Sequence, residues 1–183
     1  MPGGFRTIGH SNRSLEVFVD ILRAAGVEVI ADVRSFPRSR SNPAFNIDTL
    51  PDALQDYQIG YRHFPDLGGR RPVQKDVSDT LNAFWRNRSF QSYADYTQSD
   101  QFRDAYAQLL TLGADHIVAI MCAEAVWWRC HRRIITDYIL LDGYKVFHLM
   151  GNGREDAAQP TPSAIRTDDG KVIYPITGED TSC

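Results

Sequence analysis

The chain has 183 residues, 43% of them apolar, with 20 basic and 23 acidic side chains and a net charge of -3. That is enough for one substantial core, and it excludes a protein basic overall, leaving nucleic-acid binding to a local patch. Three cysteines, Cys122, Cys130 and Cys183, are too few for a disulfide framework; with no leader in MPGGF and no bilayer-length apolar run, a reduced, cytoplasmic protein away from membranes is expected.

Phe5–Gly9 reads as a first strand. From Ser14, the residues Leu15, Phe18, Val19, Leu22 and Ala25 share one helical face, with Asn12 or Ser14 to cap it and Gly26 to stop it. Val27–Val33 is rich in β-branched residues and predicts a second strand, hence a parallel βαβ unit. Prolines and serines make SFPRSRSNPAF, residues 35–45, a loop. A short helix is predicted over Thr49–Tyr57 and a brief strand over Ile59–Phe64, followed by a loop over Pro65–Asp76. Leu81–Tyr96 has a broken, aromatic-rich helical pattern, and a helix follows over Asp100–Leu112. HIVAIM, residues 116–121, is a continuous apolar run, as at the centre of a parallel sheet. A helix over Cys130–Leu141 and a strand over Tyr144–Met150 complete the pattern. Residues 151–170 read as a loose segment and 171–183 as a tail in which KVIYP can pair at an edge. The expectation is a single α/β domain over 1–183, with a mainly parallel sheet flanked by helices on both faces.

In such a sheet, ligands bind beyond the carboxyl ends of the strands. The first strand delivers His10 and Ser11 there, the second Asp32 and Arg34, the third long one Cys122 and Glu124. His10 reads either as a strand-end histidine bonded to a carbonyl or as a base or ligand donor. Asp32 either caps its turn and pairs with Arg34 or acts as a proton acceptor; an acid after an apolar strand needs a partner in any case. Arg34, Arg38, Arg40 and Arg70 offer forks suited to phosphate, against the plainer reading of solvated loops.

CAEAVWWRCHRR is the densest cluster. Cys122 is either a small hydrophobe or a thiolate made reactive by a helix start or an arginine. Cys130, His131 and Arg132 open a helix and form an anion seat. Their spacing from Cys122 is not that of a zinc ribbon, and Arg129 stands one position too far for a phosphatase loop. A metal held by Cys122, Cys130, His131 and His10 stays an alternative, and no cofactor is assigned. Trp127 and Trp128 read as core cover or as a stacking surface.

TIGHSNRS, DVRSFPRSR, LGGRR, CAEAVWWRCHRR and GYKVFHL, in this order over roughly residues 5–150, resemble the bacterial and archaeal domain-of-unknown-function family numbered 488. The resemblance rests on Gly9-His10-Ser11, on Asp32-Val33-Arg34 with Pro37, Ser39 and Arg40, on Cys122-Ala123-Glu124 and on Cys130-His131-Arg132. Many members carry an acidic, proline-containing linker where this chain has AVWWR. The resemblance implies a fold rather than a reaction.

The residues point to an enzyme acting on a nucleotide or nucleic acid through a carboxylate, histidine and arginine site. Asp32 is the expected base, with Glu124 orienting and His10 donating to the ligand; the opposite assignment makes Cys122 the nucleophile and Glu124 the base. Ser11, Arg34, Arg38, Arg40, Arg70, Cys130, His131 and Arg132 are the expected ligand-binding residues. The alternatives are a non-catalytic phosphate- or nucleic-acid-binding module and a metal-dependent enzyme. The sequence does not fix an oligomeric state.

Overall fold

The computed structural model describes residues 3–176; Cys183 and the end of the expected tail lie outside the described residues. Six strands form one sheet: β1 (Gly4–Gly9), β2 (Val29–Asp32), β3 (Gly60–His63), β4 (Ile117–Cys122), β5 (Val146–Gly151) and β6 (Arg154–Ala157). Their order is β3-β2-β4-β1-β5-β6, parallel throughout except for antiparallel β6. The fold is α/β, as the alternation of elements predicts. The helices are α1 (Leu15–Ala24), α2 (Leu50–Gln55), α3 (Arg88–Tyr96), α4 (Asp100–Asp115) and α5 (Arg132–Leu141). None is long and apolar enough to cross a membrane among the described residues.

Strand alternation divides the core. Ile8, Ile30, Ala119 and Met121 face one way and pack with Phe18, Val19 and Leu22 of α1 and Leu50 and Leu54 of α2. Phe5, Ala31, Val118, Ile120 and Cys122 face the other way, against Tyr93, Phe102, Leu109, Ile135 and Ile139 of α3, α4 and α5. Ser14 caps α1 by accepting from the Val17 amide at 3.2 Å, and Gly26 ends the turn behind it at φ 68°.

The βαβ unit is real, but its strands are not neighbours. β4 inserts between β2 and β1, so β1 lies between β4 and β5. From β1 the chain turns through α1 on one face towards β2, and from β4 it turns through α5 on the other face towards β5. The two connections diverge from adjacent strand ends, and such a switch point leaves a crevice.

Three boundaries differ from expectation. Residues 154–157, inside the segment expected to be loose, form β6. It is polar because an edge strand needs the ladder more than an apolar face. α3 starts only at Arg88, where Asn87 accepts from the Ser89 amide at 2.8 Å; residues before it form turns around buried Asn82, which holds Asp95 and the Tyr174 amide. α5 starts at Arg132, because Cys130 is extended at φ -137° and ψ 168°. KVIYP does pair, though with β7 (Ile165–Arg166) in a separate two-stranded ribbon, where it supplies β8 (Val172–Ile173).

Candidate functional site

β1 and β4 end in register, Gly9 opposite Cys122, and their loops continue the pairing. The His10 and Ser11 amides donate to the Cys122 and Ala123 carbonyls, each at 3.0 Å. The loops approach so closely that a Cβ on Gly9 would lie 1.8 Å from the Glu124 carbonyl oxygen. The Val33 amide donates to Met121 at 3.0 Å. His10, Asp32 and Cys122 are thereby brought to one end of the sheet, around a cleft of about 840 Å³.

Asp32 lies beneath this cleft and does not line it. It is fully buried, and its carboxylate accepts from four donors: the Arg34 amide at 3.1 Å, Arg34 Nε at 2.9 Å, Arg34 Nη2 at 2.7 Å and the Tyr61 hydroxyl. Four donors satisfy both oxygens. Burial disfavours the Arg34 cation, but Asp32 more than compensates and raises its pKa. Burial and then Asp32 also raise the pKa of Tyr61, which stays a donor.

Arg34 passes this order on to His10. Its Nη1 donates to His10 Nε2 at 3.2 Å, which leaves the ring proton on Nδ1, donated to the Ser11 carbonyl at 2.9 Å. The ring stacks on Phe45 with centroids 4.6 Å apart. Burial lowers the His10 pKa, with Arg34 adding to the effect, so the imidazole is neutral. Ser11, at φ 48°, turns the chain along the cleft wall.

The neighbouring strand end carries the sulfurs. Cys122 Sγ and Cys130 Sγ are 3.0 Å apart, and both line the cleft. Cys130 Sγ also receives the Arg132 amide at 3.3 Å and Arg132 Nε at 3.2 Å. The other Arg132 nitrogens donate to Thr7 Oγ1 at 3.2 Å and to the Glu124 carbonyl at 2.7 Å. Arg132 is 1% exposed, and among the described residues no carboxylate pairs with it. A buried cation requires compensation, and here the Cys130 sulfur supplies an acceptor for it. Burial opposes ionisation of Cys130, but hydrogen bonding from Cys122, with the Arg132 guanidinium beside it, holds it below the ordinary thiol value. Burial and the bond to Cys130 push Cys122 well above that value. Cys130 is therefore the more acidic sulfur of the pair, and Cys122 the one that keeps its proton more firmly.

His131 lines the cleft and donates from Nε2 to the Val33 carbonyl at 2.6 Å, leaving Nδ1 as an acceptor. Gly69 packs against it so tightly that a Cβ would lie 2.5 Å from Nδ1. This close approach is what LGGRR supplies.

The remaining predicted residues divide by what their donors do. Arg38 lines the cleft while pairing with Asp48, Nη2 to Oδ1 at 2.9 Å. Arg40 is exposed and stands outside the lining, and Arg132 is buried behind it. Glu124 is exposed on the rim. Arg70 lies over the Phe36 ring at 5.7 Å. The sequence reading passed over Phe36 and Tyr93 as lining residues and assigned no role to Arg129. Arg129 had a signal, its place beside Cys130; Phe36 had one too, an aromatic between loop serines and prolines. Neither tryptophan lines the cleft: Trp127 stacks on His148 at 4.4 Å, and Trp128 stands outward. Among the described residues, no three His, Cys, Asp or Glu side chains are grouped to hold a metal ion.

A family model, the domain of unknown function DUF488, matches residues 14–139, more than half of the chain. The chain belongs to the DUF488 family. The matched span takes in Asp32, Arg34, Cys122, Cys130 and Arg132 and ends within α5, whereas His10 and Ser11 precede it. No curated protein and no solved structure matches the chain.

Proposed function

We propose that the protein is an enzyme acting on a nucleotide or nucleic acid, with Cys130 as the attacking group. The observation that carries this reading is a sulfur, Cys130 Sγ, on which the Cys122 sulfur and two Arg132 nitrogens converge in the wall of a cleft whose rim holds unspent cations. Among the described residues, the Arg70 and Arg129 guanidinium groups donate to no protein acceptor, so their forks are available to phosphate. Phe36 is 68% exposed and is backed by Arg70, which suits it to stack on a base.

This reading moves the chemistry from Asp32 to sulfur. Asp32 has no lone pair left for a substrate proton, and its role is to hold Arg34, which in turn holds His10. Cys130 sulfur attacks an electrophilic phosphorus of the bound substrate; the S–P bond forms, the bond to the leaving oxygen breaks, and that oxygen departs. His131 Nδ1 then takes a proton from the water that attacks the same phosphorus; the S–P bond breaks, Cys130 is freed, and the proton passes to the departed oxygen. Arg132 keeps the sulfur ionised between turnovers.

The test is titration with a nucleoside monophosphate and with a short single-stranded oligonucleotide, followed by calorimetry. R70A and R129A are each expected to weaken binding by about 1 kcal/mol or more, the loss of a charged hydrogen bond. Bound ligand is expected to protect Cys130 from iodoacetamide. Unchanged affinity in both variants, with Cys130 unprotected, would remove the ligand from this cleft. Protection without turnover of any nucleotide would instead select a binding module.

A further inference from the structure

We propose that Cys130 and Cys122 form an oxidation site for a hydroperoxide, closing to an intramolecular disulfide that removes the attacking sulfur. The inference deepens the reading above, because it rests on the same Cys130 sulfur, and it adds a form of regulation to it.

Three observations carry it. The two sulfurs are 3.0 Å apart, so a shift of about 1 Å reaches the bonded distance of about 2.05 Å. Three donors can converge on Cys130 Sγ: the Cys122 thiol, the Arg132 amide and Arg132 Nε. This makes Cys130 the nucleophile of the pair and Cys122 the proton carrier. Both cysteines line the cleft, and Cys130, the first to be oxidised, is the more exposed of the two. The cysteines belong to separate elements, the end of β4 and the segment before α5, joined by the Trp127–Arg129 turn. That turn can absorb the small closure while both elements stay in place.

The chemistry balances in two steps. The Cys130 thiolate attacks the outer oxygen of the hydroperoxide; an S–O bond forms, the O–O bond breaks, and hydroxide or alkoxide leaves and takes up a proton. Cys130 is now a sulfenic acid. Cys122 sulfur then attacks Cys130 sulfur; the S–S bond forms, the S–O bond breaks, and the departing hydroxide takes the Cys122 proton and leaves as water. Two electrons pass from the two sulfurs to the hydroperoxide. A dithiol reductant reverses the result.

The disulfide also removes the anion beside Arg132. The guanidinium keeps Thr7 and the Glu124 carbonyl as acceptors but loses its counter-charge. The oxidised form is therefore expected to be reduced readily.

The experiment uses the full chain carrying C183S, so that the third thiol does not contribute. The protein is treated with hydrogen peroxide, and its free thiols are counted with a maleimide. Two thiols per chain are expected to disappear, the mass is expected to fall by two hydrogens, and a peptide joining Cys122 to Cys130 is expected within one chain. A dithiol reductant is expected to restore both thiols. In C183S/C122S, a dimedone adduct is expected on Cys130. In C183S/C130S, the Cys122 thiol is expected to react at least about tenfold more slowly. Two thiols left intact, cross-linking only between chains, or a sulfenic acid forming first on Cys122 would each overturn the proposal. The linked peptide in C183S needs neither cleft variant to fold. No nucleotide is present, so failure of ligand binding leaves this result standing, and absence of the disulfide leaves the nucleotide titration untouched.

Discussion

Replacing Asp32 by asparagine tests the lowest layer of the site. The carboxylate is fully buried, and the Arg34 side chain beside it is 7% exposed. Oδ1 accepts from the Arg34 amide and Nε, and Oδ2 accepts from Arg34 Nη2 and Tyr61. Either orientation of an asparagine amide therefore turns an NH2 group towards two donors, and it also leaves the guanidinium without a counter-charge. Stranding one member of a buried ion pair costs about 3–5 kcal/mol. Y61F is the control, because it removes one hydrogen bond to the charged group and keeps the charge, at a cost of about 1.5–3 kcal/mol. Urea unfolding followed by circular dichroism gives both numbers, provided the slopes match. D32N is expected to lose more than Y61F, and Arg34 is expected to release His10 Nε2, altering ligand affinity as well. A loss below about 1 kcal/mol in D32N would refute the view that Asp32 acts by holding Arg34.

Acid stability is expected to depend on His148, whose pKa burial and then Arg132 lower to about 4. Below about pH 6.5 the unfolded chain takes up a proton that the folded chain refuses, so stability falls between pH 6.5 and 4 by up to about 3 kcal/mol; a flat profile over that window in denaturant titrations, or one unchanged in H148F, would show the ring is not held neutral. C130S is expected to cost about 3–5 kcal/mol, because Arg132 loses its anion, whereas C122S keeps a donor and costs about 1 kcal/mol; equal losses by thermal or urea unfolding would mean that the charge does not reside on Cys130.

Local pattern made β1, α1, β4 and α5 readable, because each buries one face or both, and burial writes a period into the residues. The strand-end rule then brought His10, Asp32 and Cys122 together before any distance was known. β6 left no such trace: Arg154–Ala157 is held by backbone pairing at an edge, and any polar string can do that. The use of each polar group was equally invisible. Asp32 meets Tyr61 across a β2–β3 pairing 29 residues away, and Arg132 meets Thr7 across 125. Whether a carboxylate has a free lone pair, or an arginine a free fork, depends on these distant partners rather than on its own motif. The motifs therefore mark which residues reach the sheet end, and the distant partners decide which of their charges are already paired.

Of the site's arginines, Arg34, Arg38 and Arg132 are spent, Arg38 on Asp48, and Arg70 and Arg129 are not. Arg34 is neutralised by Asp32, and Arg132, with no carboxylate, by the Cys130 sulfur. Both are buried, and both use their donors to set a neighbour, His10 in one case and Cys130 in the other. Arg70 and Arg129 line the cleft with no acceptor of their own among the described residues. A ligand anion can engage them without breaking an existing pair, so little of its binding energy is lost to rearrangement. Engaging Arg132 would instead draw donors away from Cys130 and restore an ordinary thiol. The arginine that sets the sulfur and the arginines proposed to hold phosphate must therefore be different residues: Arg132 is buried outside the lining, whereas Arg70 and Arg129 line the cleft.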